Sequence, residues 1–351
     1  MARHSGALGV DIGSAAIKIV EISGDANGTA GRSGMAVRAA ASTPTPAGTM
    51  EEGRITDPQA IGRALRELVQ RAGIRTRRAV AAVNGQVALM REVRMPPLPP
   101  EEIRQAARFE VERYLPYPIA EVTFDSVVLG ESRDNGNSRT DVLVVAARTD
   151  VLHQHAAALQ AAGLEPAVLE VEPLAVARAV TSHAPSEHVT ACIHLGSSVT
   201  MILVAEGEAP RVIRTVAFGA TQLLETMASQ LDAAGEAPSA LLTRLAAAGE
   251  GGPPGLREAL DDSLASLVTE IRRSLEYYGG RYRAVVPDRV VVTGGGAALP
   301  GITASLTTAL DMPVTLGDPF ADLGGPPDGG GPEPGAAYAV AAGLARRGVD
   351  E

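Results

Sequence analysis

Asp11 and Lys18 bracket the segment Asp11-Ile12-Gly13-Ser14-Ala15-Ala16-Ile17-Lys18. Lys18 is the sole lysine, and the other 30 of the 31 basic residues are arginine. An ammonium is a compact point charge, whereas guanidinium is a wide planar fork. A position that keeps the ammonium suits a tight pocket for an oxyanion, with phosphate the first candidate. Asp11 closes a strand beside a glycine turn. A carboxylate there could hold Mg²⁺ through water, since Mg²⁺ keeps several waters and takes one or two carboxylates plus phosphate oxygens. The alternative is an aspartate that merely closes a β-turn.

Three glycine turns follow apolar strands: Gly13-Ser14, Gly196-Ser197-Ser198 and Gly294-Gly295-Gly296. Such turns expose backbone N–H groups that can cradle phosphate oxygens. Glu172 lies between a strand and a helix, just before Pro173. It could orient an attacking water, or simply favour the helix N-terminus electrostatically. Glu270, Arg273 and Tyr277 share one helix face, which taken alone reads as an ordinary solvated surface. Other chemistries lack their residues. No Gly-Lys-Ser/Thr occurs, and the Gly-x-Gly-x-x-Gly pattern starting at Gly294 fails at Leu299. Zinc spacing of His and Cys and a Gly-x-Ser-x-Gly elbow are also absent.

The elements that must position these groups follow from periodicity. Strands are expected at Ala7–Ile12, Ile17–Ile22, Met35–Ser42 and Val168–Val171, with a helix at Pro58–Ala72. Arg78–Val83 and Val87–Met95 read as a hairpin around Asn84-Gly85. Pro99-Pro100-Glu101-Glu102 opens a helix whose buried stripe is Ile103, Ala106, Ala107, Val111, Tyr114 and Leu115, with Phe109 on the other side. Val122–Leu129 and Val142–Ala147 form a second strand pair around Asn135-Gly136-Asn137. Val151–Ala162 is a helix ended by Gly163, and its His153 and His155 read as surface or capping residues. Asp11-Ile-Gly-Ser then returns as His194-Leu-Gly-Ser at an offset of 183, each copy a strand, a Gly-Ser turn and a strand. Two copies of one hairpin suggest two related lobes facing a cleft. In the second half, a long helix spans roughly Asp262–Tyr278, a strand Arg289–Thr293 and helices Ile302–Leu310 and Ala336–Arg347. Gly324–Gly335 reads as a surface loop.

At 351 residues the chain can hold more than one domain. A net charge of −10 argues against nucleic acid, which needs a basic face, and against anionic lipid. Cys192 is the only cysteine and sits in an apolar run, as a buried structural thiol in a reducing compartment would. No stretch approaches a membrane span or a signal-peptide core, so a cytoplasmic location is expected.

These pieces, in this order, resemble the actin-like ATPase superfamily. Asp11-Ile12-Gly13-Ser14…Lys18 is similar to its first phosphate loop, and Leu169–Ala175, with Glu172, to its first connecting segment. His194-Leu195-Gly196-Ser197-Ser198-Val199-Thr200 is similar to the second phosphate loop, Thr293–Ala297 to the adenosine motif, and Gly335–Gly343 to the second connecting helix. Glu270 and Arg273 match an acid and base that hold adenosine in some members. Within the superfamily, three segments resemble the PilM family of type IV pilus assembly. They are Arg94-Met95-Pro96…Glu101-Glu102, Glu110–Pro118 with its Tyr114-Leu115-Pro116-Tyr117, and Phe218-Gly219-Ala220…Leu223.

The resemblance implies an α/β actin-like fold with subdomain 1A at 1–78, 167–188 and 335–351 and an inserted subdomain 1C at 79–166. Subdomain 2A would take 189–226 and 280–334, and 2B 227–279. It implies ATP with Mg²⁺ as cofactors, and nucleotide contacts from Asp11, Gly13, Ser14, Lys18, Gly196, Ser197, Ser198, Thr200, Glu270, Arg273 and Gly294 to Gly296. Glu172 would be the catalytic candidate. It implies a PilN-type bitopic inner-membrane partner whose N-terminal cytoplasmic segment lies between 1A and 1C, with Tyr114, Leu115, Pro116 and Tyr117 as contact candidates. Other pilus assembly proteins and self-association are further partners of that reading. One departure stands out. The family's second phosphate loop starts with Asp, and here it starts with His194, so hydrolysis is expected to be slow or absent. Two other functions stay open: FtsA-like membrane tethering, which would call for a C-terminal amphipathic helix, and small-molecule kinase activity, which would call for a catalytic Asp.

Overall fold

The computed structural model describes residues 6–24, 34–134, 136–181, 188–248, 253–282, 287, 289–326 and 335–350. Asn135 of the polar loop and most of the Gly324–Gly335 loop fall outside the described residues.

Strand β1 (Ala7–Ile12) turns at Gly13 into antiparallel β2 (Ala16–Gly24), and β3 (Met35–Pro44) pairs antiparallel with β2. A short hairpin of β4 (Met50–Glu51) and β5 (Arg54–Ile55) leads into α1 (Pro58–Arg71). The Asp57 carboxylate accepts from the Ala60 N–H at 2.9 Å and Pro58 fills the first turn, so donors without helical partners are satisfied or removed. Ile61, Leu65, Leu68 and Val69 bury the face their spacing predicts.

Strand β6 (Arg78–Val83) runs parallel to β1. It does not pair with β7 (Ala88–Met95), which the Asn84-Gly85 dipeptide suggested. β7 instead joins β8 (Val122–Asp134) and β9 (Asn137–Arg148) in a separate three-stranded sheet, order β7-β9-β8. The hairpin reading fails because parallel partners on both sides of β6 complete its ladder. The separate sheet begins at Ala88. Helix α2 (Pro100–Glu112) covers this sheet through Ile103, Ala107 and Val111. Tyr114 falls beyond the helix end and is exposed under the Arg91 guanidinium, 4.0 Å from its ring centre, not in the buried stripe. Phe109 is exposed, as its position on the helix implies.

Helix α3 (Thr149–Ala161) returns the chain to α1, and Gly62 is needed where the two meet: a β-carbon there would stand 2.4 Å from that of Ala161. His155 is buried, with Nδ1 2.9 Å from the Val151 carbonyl oxygen, so it belongs to the core and not the surface. β10 (Glu165–Val171) completes the first large sheet and runs into α4 (Glu172–Thr181).

The second half comprises β11 (Val189–Leu195), β12 (Thr200–Glu206), β13 (Ala209–Val216), α5 (Ala220–Gln230), α6 (Pro238–Ala248) and α7 (Leu256–Tyr282). It continues through β14 (Arg289–Thr293), α8 (Ile302–Leu310), β15 (Val314–Leu316) and α9 (Ala339–Asp350). The first sheet has the order β10-β6-β1-β2-β3 and the second β15-β14-β11-β12-β13. Both pair antiparallel along the hairpin side and parallel along the other. The repeat read from two short segments thus extends to whole sheets.

Helices α4 and α9 join the lobes. A β-carbon on Gly343 of α9 would sit 1.9 Å from the Ala175 carbonyl oxygen of α4, so the two backbones touch. The Arg178 guanidinium donates to Glu170 at 3.0 Å and to the Gly343 carbonyl at 2.6 Å, tying β10, α4 and α9 together. A buried cluster of Val80, Ala175, Val176, Met201, Val291 and Leu344 is shared by both sheets and both helices. The three-stranded sheet also meets the second lobe. Glu92 on β7 accepts from Tyr282 and Arg281 of α7, and Asp141 on β9 lies 3.6 Å from Arg211 on β13. Among the described residues no helix is long and apolar enough to cross a membrane.

Candidate functional site

Each large sheet ends its first strand in the same backbone turn. The Gly13 N–H donates to the Ala16 carbonyl at 3.1 Å, and the Gly196 N–H to that of Val199 at 3.0 Å. A β-carbon on either glycine would stand 2.9 Å from that same oxygen, a close approach only glycine permits without a shift. The two turns face each other and touch, with the Ser14 and Ser198 hydroxyls 2.8 Å apart.

Polar partners behind the turns hold them. The Thr45 hydroxyl donates to the Gly13 carbonyl at 2.6 Å, and its N–H to that of Ala15 at 3.0 Å. The Ser197 hydroxyl lies 2.9 Å from that of Thr221. Thr200 is fully buried and donates to the Phe218 carbonyl at 2.7 Å, so it shapes the second turn from beneath. The third glycine turn leans on the second. Gly294 has φ +88°, the left-handed region, and a β-carbon there would lie 2.4 Å from the Leu195 carbonyl oxygen. Gly296 meets the Leu195 side chain as closely, while Gly295 faces open space.

The charged groups cluster where the turns meet. Asp11 and Lys18 are cross-strand neighbours, with Nζ 4.0 Å from Oδ2, and both are largely buried. Glu172 starts α4 beside them. Burial, then the negative charge of Asp11, pushes its carboxyl up to about 8, against the opposing pull of the Gly85 N–H and Lys18. The Asn84 amide reaches Glu172 at a long 3.5 Å. Glu172 is thus mostly protonated at neutral pH. His194, in the equivalent of Asp11, is held down to about 4 by burial and by the Lys18 charge. Its Nδ1 lies 3.0 Å from the Thr293 hydroxyl. The site therefore presents one carboxylate, one ammonium and two neutral groups.

The structure gathers Asp11, Gly13, Ser14, Lys18, Glu172, Gly196, Ser197, Ser198 and Gly294 to Gly296 at the facing ends of the two sheets. Glu270 and Arg273 sit on α7, where Glu270 accepts from Arg214 of β13 at 2.5 Å and from Arg273 at 2.9 Å. Tyr114, Leu115, Pro116 and Tyr117 lie on the three-stranded unit. Leu115 is partly packed against that unit's core, and the Arg148 guanidinium sits 5.0 Å from the Tyr117 ring centre. Sequence reasoning missed Thr45, Asn84 and Gly85, and it placed Thr293 in the adenosine-type motif without giving it a contact of its own. Asn84-Gly85 carried a signal, but that of a hairpin. As for a cation, no three His, Cys, Asp or Glu side chains assemble to hold a metal among the described residues.

The chain matches the family described as type IV pilus assembly protein PilM over residues 9–349. It is similar to the structure of a PilM-PilN type IV pilus biogenesis complex, at 28% identity and a TM-score of 0.80, covering 98% of this chain and 99% of that one. It shares its fold with the ethanolamine utilization protein EutJ from Carboxydothermus hydrogenoformans, at 16% identity and a TM-score of 0.57, over 97% of this chain and 89% of that one. MreB5 of Spiroplasma citri bound to AMPPNP is likewise similar, at 10% identity and a TM-score of 0.52, over 96% and 94%.

Proposed function

The chain belongs to the PilM family of type IV pilus assembly proteins and has an actin-like ATPase fold, and from this we propose that it is a cytoplasmic, ATP-binding scaffold that takes the N-terminal cytoplasmic segment of a PilN-type inner-membrane protein. The observation that carries the reading is the end-to-end likeness to a PilM-PilN type IV pilus biogenesis complex.

The site suits a nucleotide's phosphates. Two opposed glycine turns bring backbone N–H groups and the Ser14 and Ser198 hydroxyls to one place, with the Lys18 ammonium beside them. ATP would be held by these groups, with Gly294 to Gly296 towards its nucleoside and Glu270 and Arg273 flanking it from α7. Mg²⁺ accompanying the nucleotide would rest through water on Asp11. Glu172 is the candidate to orient a water. A mostly protonated carboxyl accepts a proton poorly, so this group supports slow hydrolysis or none.

For the partner, the three-stranded sheet with α2 corresponds to the 1C-type subdomain, and the two large sheets to the cores of 1A and 2A. A cavity of about 480 Å³ opens between the β4–β5 hairpin and α3, where this unit rejoins the first lobe. Glu51, Glu52 and Asp150 line it against Arg54, so its charge suits a basic peptide. Asp150 is clasped by Arg148 at 2.9 and 3.0 Å, and Arg148 in turn covers Tyr117. Tyr117 is thus linked to the cavity through Arg148 and Asp150. The test is a titration of a fluorescent PilN-type N-terminal peptide, with and without ATP. Saturable binding that Asp150→Arg weakens supports the scaffold reading. No binding, or phosphate transfer to a small molecule, overturns it.

A further inference from the structure

The two hairpins diverge at one pair of positions. Asp11 faces Lys18 across β1 and β2, and His194 faces Met201 across β11 and β12. Met201 is buried in the core shared by the two lobes. The His194 ring stays half-buried beside the second turn, close enough to feel the Lys18 charge from the opposite lobe.

The direction of a short hydrogen-bond chain decides what this ring offers. The Thr293 Oγ1 lies 3.0 Å from His194 Nδ1 and 3.4 Å from Cys192 Sγ. Cys192 is buried and stays a thiol, its pKa pushed up to about 12. Thr293 has one hydroxyl proton to give. An imidazole nitrogen is a strong acceptor and a thiol sulfur a weak one. With the Thr293 proton given to the stronger acceptor, the chain runs from the Cys192 S–H to Thr293 and from the Thr293 O–H to His194 Nδ1, and the ring proton then sits on Nε2. Where the first hairpin has a carboxylate, the second presents an uncharged N–H.

We propose that His194 donates its Nε2–H to the phosphoryl oxygens of the bound nucleotide, so that the cleft takes nucleotide without needing a divalent cation. A carboxylate at this place repels phosphate and calls for a metal ion between them. An N–H attracts phosphate directly. The remaining carboxylate, Asp11, has the Lys18 ammonium at 4.0 Å. Among the described residues no three His, Cys, Asp or Glu side chains assemble into a cation site, so Mg²⁺ resting on Asp11 through water would accompany the nucleotide without being required for it. The inference rests on the nucleotide reading above and deepens it.

The test compares ATP binding by the full chain, measured calorimetrically, in EDTA and in excess Mg²⁺. The wild type should show dissociation constants within about threefold of each other. His194→Asp should bind at least about tenfold more weakly in EDTA and recover in Mg²⁺. His194→Asn, which keeps an N–H donor, should behave like the wild type and guards against a folding defect in the aspartate variant. A wild type that loses tenfold or more on chelation overturns the metal-independence while leaving nucleotide binding intact. No ATP binding in either condition overturns both. Imidazole ¹⁵N shifts give a second readout: a protonated Nε2 supports the relay, and a protonated Nδ1 overturns it.

Discussion

The first and second hairpins have the same strand order around them and the same glycine-to-carbonyl turn, and they meet through Ser14 and Ser198, which stand one position apart in the repeat. Their side chains have nevertheless parted: Asp11 and Lys18 in one, His194 and Met201 in the other. The turn is written in backbone geometry, so it survives almost any neighbour that leaves its glycine alone. The charge is a property of the side chains and can be replaced without disturbing the frame. One half of the cleft can therefore hold charge while the other serves as packing and neutral hydrogen bonding.

The largest expected effect comes from trying to make the second hairpin resemble the first. Met201→Lys puts an ammonium into the dry core between the lobes and should cost about 3 kcal/mol or more of stability, read from the urea midpoint. A stable variant with tighter ATP binding would show that position 201 faces the phosphates and not the core between the lobes. Next come the two frames. Gly13→Ala and Gly196→Ala each force a β-carbon against a carbonyl oxygen and should each cost about 1–3 kcal/mol. Unequal losses would break the equivalence of the turns. Lys18→Ala should weaken ATP binding by about tenfold or more, or roughly 1.4 kcal/mol. Unchanged affinity removes Lys18 from the site.

A last effect is one of slope. His194 is held down to about 4, so as pH falls below its ordinary 6.5 the unfolded chain takes the proton first. Stability is lost between about pH 6.5 and 4, and His194→Gln should flatten the melting-temperature curve across that window. Glu172, raised to about 8, works in the opposite sense. Its contribution is full below about 4.5 and fades as pH rises through 8, and Glu172→Gln should remove that fall.

The glycine turns, their offset and the stripe of α1 were legible because each is written in a short stretch of chain. The pairing of β6 was not. Its neighbours β1 and β10 are supplied by distant segments, and Asn84-Gly85 carries a local hairpin signal that has no view of them. Thr293 and Asn84 entered the site in the same way, through partners on other strands. Tyr114 continued the periodicity of α2 on paper, but the helix had already ended at Glu112. His194 could be seen as a departure from sequence alone. Its consequence needed the neighbouring Thr293 and Cys192 to be placed beside it.

Glu92, Asp141 and their arginine and tyrosine partners complete a ring. The first lobe carries the three-stranded unit, that unit grips the second lobe, and the second lobe returns to the first through α4, α9 and the touching serines. A linkage closed on itself has fewer free joints than an open hinge. Rotation at any one of the three contacts must be matched at the other two, so a peptide wedged beside the small sheet and a nucleotide drawn between the turns would strain the same mechanism.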